Sequence, residues 1–306
     1  MEKLAPVILF TYNRPNHTQK TLTALASNTL AHKTELYIYS DGPKETTDEV
    51  EVFATREVLK KFLNSFKQVH LINSKVNKGL ATSITEGVNE ICAKFGKIIV
   101  LEDDIITSKN FLEFMNDCLV KYEFENRVMA ISGYMHKVKL DCDDDAIFLP
   151  FISSWGWATW SRAWDINNAS ENYLKKIEGN EALIYKFNLN GAYPYFEMLK
   201  KKKRGLIKSW AIDWYSTVFF NNGLSVFPKE SLVVNIGFDG TGENCKVRSI
   251  NQSEVNEGFT VRKFPKRIEV CEEFEHIVQG FPKAQISLKS LFNNAKKELA
   301  KAIRKL

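Results

Sequence analysis

Apolar and polar positions switch between two periods along the first hundred residues of the chain. Four short runs rich in β-branched and aromatic residues, Val7–Tyr12, Glu35–Ser40, Gln68–Asn73 and Lys97–Leu101, read as strands. Their starts lie about thirty residues apart, the length of a strand–helix–strand unit. The segments between them carry helical spacing. One places Val52, Leu59, Phe62, Leu63 and Phe66 on a stripe; another places Leu80, Ile84, Val88, Ile91 and Phe95. Strands alternating with helices predict an α/β fold with a mostly parallel sheet and helices on both faces. Beyond residue 105 the alternation weakens. Ser108 or Asn110 is placed to cap a helix through Leu119, Val128–Ser132 reads as another strand, and Asp141–Asp145 as an acidic surface loop.

In such a sheet, ligands bind beyond the carboxyl ends of the strands. The segment after each strand is polar and turn-forming: Thr11-Tyr12-Asn13-Arg14-Pro15, Ser40-Asp41-Gly42-Pro43, Asn77-Lys78-Gly79 and Glu102-Asp103-Asp104. The four groups are expected to converge on one edge. Each alone is ordinary loop chemistry, because Asn, Asp, Gly and Pro dominate turns. The acidic triplet adds something more specific. Adjacent carboxylates at a strand end raise one another's pKa unless a cation neutralises them. Hard oxygen ligands suit Mg²⁺ or Mn²⁺, which keep open positions for phosphate oxygens. The competing reading is a solvated loop whose negative charge favours a helix start.

Asp213 lies between two indoles in Ser209-Trp210-Ala211-Ile212-Asp213-Trp214. Burial beside them would lift a carboxyl toward the range of a general base; a helix-start aspartate is the plainer alternative. All six tryptophans fall between residues 155 and 214. Aromatic faces pack on sugar C–H faces, and they also build cores. Phe238–Gly242 reads as a flexible loop able to fold over a ligand, after strand-like Leu232–Asn235. Lys200–Arg204 are five consecutive cations, either a solvated face or a contact for a phosphorylated acceptor or anionic membrane.

Composition bounds the class. The 306 residues are 44% hydrophobic, 12% aromatic and 26% charged, which fits one large domain with additions or two modest domains and excludes a disordered tail protein, a coiled coil and a disulfide-stapled miniprotein. The five cysteines are scattered without a C-x-x-C pair, which favours a reducing compartment and no zinc ribbon. No apolar run reaches the roughly 20 residues that span a bilayer. The expectation is a cytoplasmic protein. The net charge of +5 is local: residues 283–306 hold seven basic residues and one acid, and without them 35 basic residues face 36 acidic ones. That distribution argues against a nucleic-acid surface. In the tail, Leu288, Leu291, Phe292, Ala295, Leu299, Ala302, Ile303 and Leu306 form one helical stripe among lysines. A basic amphipathic helix over 284–306 predicts peripheral binding to an anionic membrane, against the alternative of docking on the domain or a second copy.

At these residues the chain resembles GT-A glycosyltransferases, in particular the bacterial branch related to N-acetylglucosaminyltransferase I, over roughly residues 5–245. VILFTYNRP is similar to the nucleotide-binding first strand and turn of that superfamily, which implies donor contacts at Thr11, Tyr12, Asn13 and Arg14. SDGP and NKGL match positions that hold the uridine, which implicates Asp41, Asn77 and Lys78. VLEDD resembles the DxD-type motif, so Glu102 and Asp103 would face the nucleoside and ribose and Asp104 would ligate the metal. WAIDW resembles the segment carrying the catalytic base, which falls on Asp213, and WGWATW resembles the donor-side segment, which implicates Trp157. One departure stands out: NIGFDGTGENC has no histidine near Asn244, where the resemblance leads one to expect a diphosphate contact.

The resemblance implies a Rossmann-like GT-A domain over 1–265, with a nucleotide-binding half (1–104) and an acceptor half (105–265), followed by a C-terminal extension (266–306). It implies a Mn²⁺- or Mg²⁺-dependent, inverting transfer from a UDP-sugar to a hydroxyl of a glycan or lipid-linked glycan, in surface polysaccharide assembly. Two rivals remain. A sugar-1-phosphate nucleotidyltransferase needs a glycine- and arginine-rich phosphate loop after the first strand, which TYNRP lacks. A non-catalytic sugar-binding scaffold would keep the fold and tolerate loss of Asp104 and Asp213.

Overall fold

Strands β1 (Val7–Thr11), β2 (Glu35–Ser40), β3 (Gln68–Asn73) and β4 (Lys97–Glu102) form where the apolar runs predict them. The computed structural model describes residues 3–168, 172–240 and 255–281. Helices α1 (Pro15–Ala26), α2 (Glu49–Lys60) and α3 (Leu80–Phe95) connect these strands. Proline opens α1, where a missing N–H breaks no helical bond. Gly96, at φ 75°, ends α3 in the left-handed conformation that other residues resist. Helix α2 stops at Lys60, short of the predicted stripe; Phe62 and Phe66 are buried from the turns beyond it, and Leu63 is exposed.

The second half is built from shorter pieces: β5 (Ile105–Thr107), α4 (Phe111–Lys121), β6 (Val128–Ser132), β7 (Ala146–Leu149) and β8 (Trp157–Trp160). Helices α5 (Ser161–Asn168), α6 (Tyr173–Ile177), α7 (Glu181–Phe187), α8 (Tyr195–Lys203) and α9 (Ala211–Phe220) come next. Strands β9 (Leu224–Pro228) and β10 (Val233–Asn235) and helix α10 (Phe274–Gln279) complete the described elements. Asn110 stands at the start of α4 but does not cap it; its amide donates to the Phe259 carbonyl and the Thr260 hydroxyl.

Eight strands form one sheet in the order β3-β2-β1-β4-β8-β6-β9-β7. Strands β1 to β4 are parallel, β8 runs antiparallel to β4 and β6, and β9 is parallel to β6. The carboxyl ends of β1–β4, β6 and β9 therefore share one edge, where β8 begins. Both faces are covered. Along β1, Ile8 and Phe10 enter one apolar cluster while Val7 and Leu9 enter the other. That arrangement explains why the strand reads as a continuous apolar run. Fully burying one such side chain contributes about 1.5–3 kcal/mol.

The described start of the expected C-terminal extension lies against the same core. The Cys271 N–H donates to the Phe148 carbonyl at 2.9 Å, and Ile277, Val278 and Phe281 are buried. The predicted helix over 284–306 lies outside the described residues. Among the described residues, no helix is long and apolar enough to cross a membrane.

Candidate active site

The four polar groups do meet at the shared edge. They line a cleft of about 360 Å³ that includes Thr11, Tyr12, Asn13, Arg14, Asp41, Asn77, Glu102, Asp103 and Asp104. Asp41 organises one wall. Its Oδ1 accepts the N–H groups of Gly42 and Lys78, both at 2.9 Å; its Oδ2 accepts those of Lys78 at 3.1 Å and Gly79 at 2.9 Å. A carboxylate has about four acceptor positions, so Asp41 is fully engaged in holding the 77–79 loop. The Asn77 amide closes the loop onto the Gly42 carbonyl at 2.9 Å. The Lys78 ammonium points elsewhere, to Glu86 at 2.7 Å. Its contribution to the cleft is a backbone N–H.

Tyr12 and Asn13 shape the opposite wall. The Tyr12 hydroxyl donates to Asp48 at 2.6 Å and accepts the Lys44 N–H at 3.0 Å, while the Asn13 amide lies 3.5 Å from the same carboxylate. Burial and the bond to Asp48 push the Tyr12 phenol up to about 12. The Thr11 hydroxyl is buried, lines the cleft and has no partner.

The acidic triplet ends β4 beneath these walls. Arg14, at the start of α1, donates to both oxygens of Asp103 and to Asp104 Oδ2, the last at 3.0 Å. Burial pushes Glu102 up to about 8, reinforced by the charges of Asp104 and Asp103 and opposed by Arg14. Asp103 rises to about 6 through burial, with Arg14 working against the shift. Burial disfavours the charged Arg14 guanidinium, but Asp103 and Asp104 outweigh it and raise its pKa. Asp104 Oδ1 is buried without any partner. Among the described residues, no three His, Cys, Asp or Glu side chains close into a metal cage. An orphaned carboxylate oxygen in an open cleft nevertheless fits a hard cation that takes most of its ligands from phosphate and water.

Asp213 and Trp157 depart from expectation. The Asp213 side chain is 47% exposed and pairs with Lys202, so it is not buried between its flanking indoles. Trp210 and Trp214 turn into the core instead. Trp157 is 1% exposed and is not among the residues that line the cleft. It starts β8, opposite Val100, and stacks on Trp210 at 5.0 Å. That stack fixes the residue preceding α9, and thereby the helix turn that carries Asp213. The reason is topological. Because β8 is inserted between β4 and β6, its side chains meet packing on both faces.

Several contributors escaped the sequence reading. Arg56 on α2 donates to the Ser40 hydroxyl and to the carbonyls of Ser40, Asp41 and Ser74, tying the ends of β2 and β3 together. Its signal was a cation four residues after Val52 and three before Leu59, on the apolar stripe itself. Gly237 lies so close to Asp104 that a Cβ there would strike the carboxylate. The Ile236 N–H donates to the Asp104 carbonyl at 2.9 Å. Asp239, in the expected ligand-covering loop, meets His17 of α1 at 3.1 Å, and Phe238 meets Trp155 edge-on. Residues 241–245 of that loop lie outside the described residues.

This sheet, with its polar cleft at the carboxyl edge, is a Rossmann-like α/β arrangement. Residues 7–133 match the family described as glycosyl transferase family 2. Solved structures with a related arrangement include S. aureus TarS, at 12% identity and TM-score 0.42, covering 75% of this chain and 36% of that one. This chain thus spans about a third of the length of TarS. A cytidylyltransferase from Leptospira borgpetersenii aligns at 10% identity over 68% of this chain and 98% of that one, with TM-score 0.35. A UDP-glucose pyrophosphorylase complexed with UDP-glucose aligns at 10% identity over 74% and 90%, with TM-score 0.37. No curated protein matches the chain.

Proposed function

We propose that this protein is a glycosyltransferase that moves a sugar from a UDP-sugar to a hydroxyl of a glycan or lipid-linked glycan, with inversion at the anomeric carbon and with Mn²⁺ or Mg²⁺ at Asp104. The observation that carries the reading is Asp104 Oδ1, buried and unpartnered in a cleft whose walls are already hydrogen-bonded into shape. Asp104 would hold the divalent cation, which when bound would supply counter-charge to a departing diphosphate, worth several kcal/mol in such reactions. The Thr11 hydroxyl, which lacks a protein partner, is available to the nucleoside. Arg14 orients Asp103 and Asp104 by its fork of donors. Asp213 accepts the proton of the acceptor hydroxyl, which would replace Lys202 as its partner. The narrower kinship with N-acetylglucosaminyltransferase I and the membrane contact through 284–306 belong to the same proposal.

The test is UDP release and sugar transfer from a panel of UDP-sugars, with Mn²⁺ and after chelation. Chelation and Asp104→Ala are each expected to lower turnover about 10²-fold or more. Asp213→Asn is expected to lose about 10²–10⁴-fold in kcat with donor KM retained. Equal turnover of wild type and Asp104→Ala would remove the cation from Asp104. A retained anomeric configuration in the product would remove Asp213 as base.

A further inference from the structure

At the same sheet edge, beyond β6 and β9, lies a second cleft of about 480 Å³. Lys137 and Lys139 stand exposed on the loop after β6, and Lys229 enters from the turn after β9. Lys229 donates to the Cys142 carbonyl, which fixes its ammonium at the wall. No acidic side chain among the described residues pairs with Lys137 or Lys139. The one carboxylate in the lining, Glu230, already accepts from the Asn256 amide at 2.8 Å. Three lysines therefore line the cleft beside one engaged acid.

This cleft is joined to the first by short covalent and aromatic paths. The Ser231 hydroxyl accepts the Met135 N–H at 3.1 Å, and from Ser231 the chain runs through β10 to Ile236, which bonds the Asp104 carbonyl. Five extended residues span about 16 Å. The His136 ring packs edge-on to Tyr134 at 5.0 Å, Tyr134 packs edge-on to Trp155 at 4.4 Å, and Trp155 packs edge-on to Phe238 at 5.5 Å, next to Gly237 and Asp104. Trp155 is partly exposed along that path.

We propose that the second cleft binds an anionic phosphoryl group of the acceptor through Lys137 and Lys139, while the glycan crosses Trp155 to reach the transfer site. The inference rests on the reading of the chain as a transferase to glycans. Lysines bind phosphoryl oxygens as point charges approaching from several directions. The same chemistry is offered by a phospholipid headgroup, so the test separates the two sources.

The full chain is labelled with an amine-acylating reagent and Lys137 and Lys139 are followed by peptide mass spectrometry. Inorganic pyrophosphate is expected to protect both lysines at least threefold against chloride of equal ionic strength. Protection by phosphatidylglycerol vesicles but not by pyrophosphate overturns the acceptor assignment in favour of a headgroup, and protection by neither overturns the site. In kinetics, the double variant Lys137→Ser/Lys139→Ser is expected to raise KM at least tenfold for a soluble glycosyl phosphate. Donor hydrolysis and transfer to the matching neutral alkyl glycoside should be unchanged, and the Arg/Arg pair should restore the loss. Equal effects on both acceptors, or none on either, overturn the proposal. Failure of the wild type to turn over any UDP-sugar would overturn the transferase reading instead, with the labelling still deciding the site.

Discussion

Among single residues, Asp41 shows how one side chain can shape a cleft through the backbone it holds. Its bonds to the Lys78 and Gly79 N–H groups, beside one to Gly42, give the 77–79 loop its shape. Asp41→Asn keeps the size but turns an acceptor into a donor facing N–H groups. Each buried group so stranded costs about 1–3 kcal/mol. The variant is expected to melt at lower temperature and to raise donor KM about tenfold, equivalent to about 1.4 kcal/mol, with kcat little changed. Calorimetry and steady-state kinetics check this; an unaltered KM would show that the loop does not depend on the carboxylate. Asp41 and Asp104 were legible because each directly follows an apolar strand. Asp48 and Arg56 were not, since their bonds reach residues 15 to 36 positions away on other elements. The burial of Trp157 was not legible, because an indole beside glycine looks the same in sequence whether it faces a sugar or a core.

At the scale of elements, legibility follows burial and length. Strands β1 to β4 are covered on both faces or flank strands that are, and their apolar runs stand out. The four-residue strands β7 and β8 and the short helices α6 to α8 offer too few turns for a period to declare itself. Yet these pieces position Asp213. Trp210 precedes α9 and stacks on Trp157, with Trp157 also 6.3 Å from Trp214. Trp210→Phe keeps an aromatic ring but leaves the stack incomplete, a loss of about 1 kcal/mol for such pairs. A displacement of about 1 Å in a reacting group can cost about 10²-fold. Transfer to acceptor is therefore expected to fall at least tenfold, while UDP-sugar binding, measured by calorimetry, stays at the wild-type value because β1–β4 carry that cleft. A parallel loss of binding would mean that the tryptophan cluster supports the whole sheet edge rather than α9.

Across the whole molecule, charge is segregated rather than spread. With residues 283–306 set aside, basic and acidic residues nearly balance. Long-range attraction to an anionic surface then falls to the tail, whose six cations over 284–306 each contribute about 1 kcal/mol near such a surface. Screening shortens this attraction from about 10 Å at 0.1 M salt to about 3 Å at 1 M. Deleting 284–306 is expected to abolish co-sedimentation with phosphatidylglycerol vesicles at low salt, and 1 M salt is expected to weaken binding of the full chain in the same direction. Activity on a soluble acceptor should survive the deletion, as should pyrophosphate protection of Lys137 and Lys139, because the described walls of the two clefts come from residues 10–104 and 136–231. Undiminished vesicle binding by the truncated chain would instead assign the membrane contact to a folded surface, with the Lys200–Arg204 run beside Asp213 as the next place to mutate.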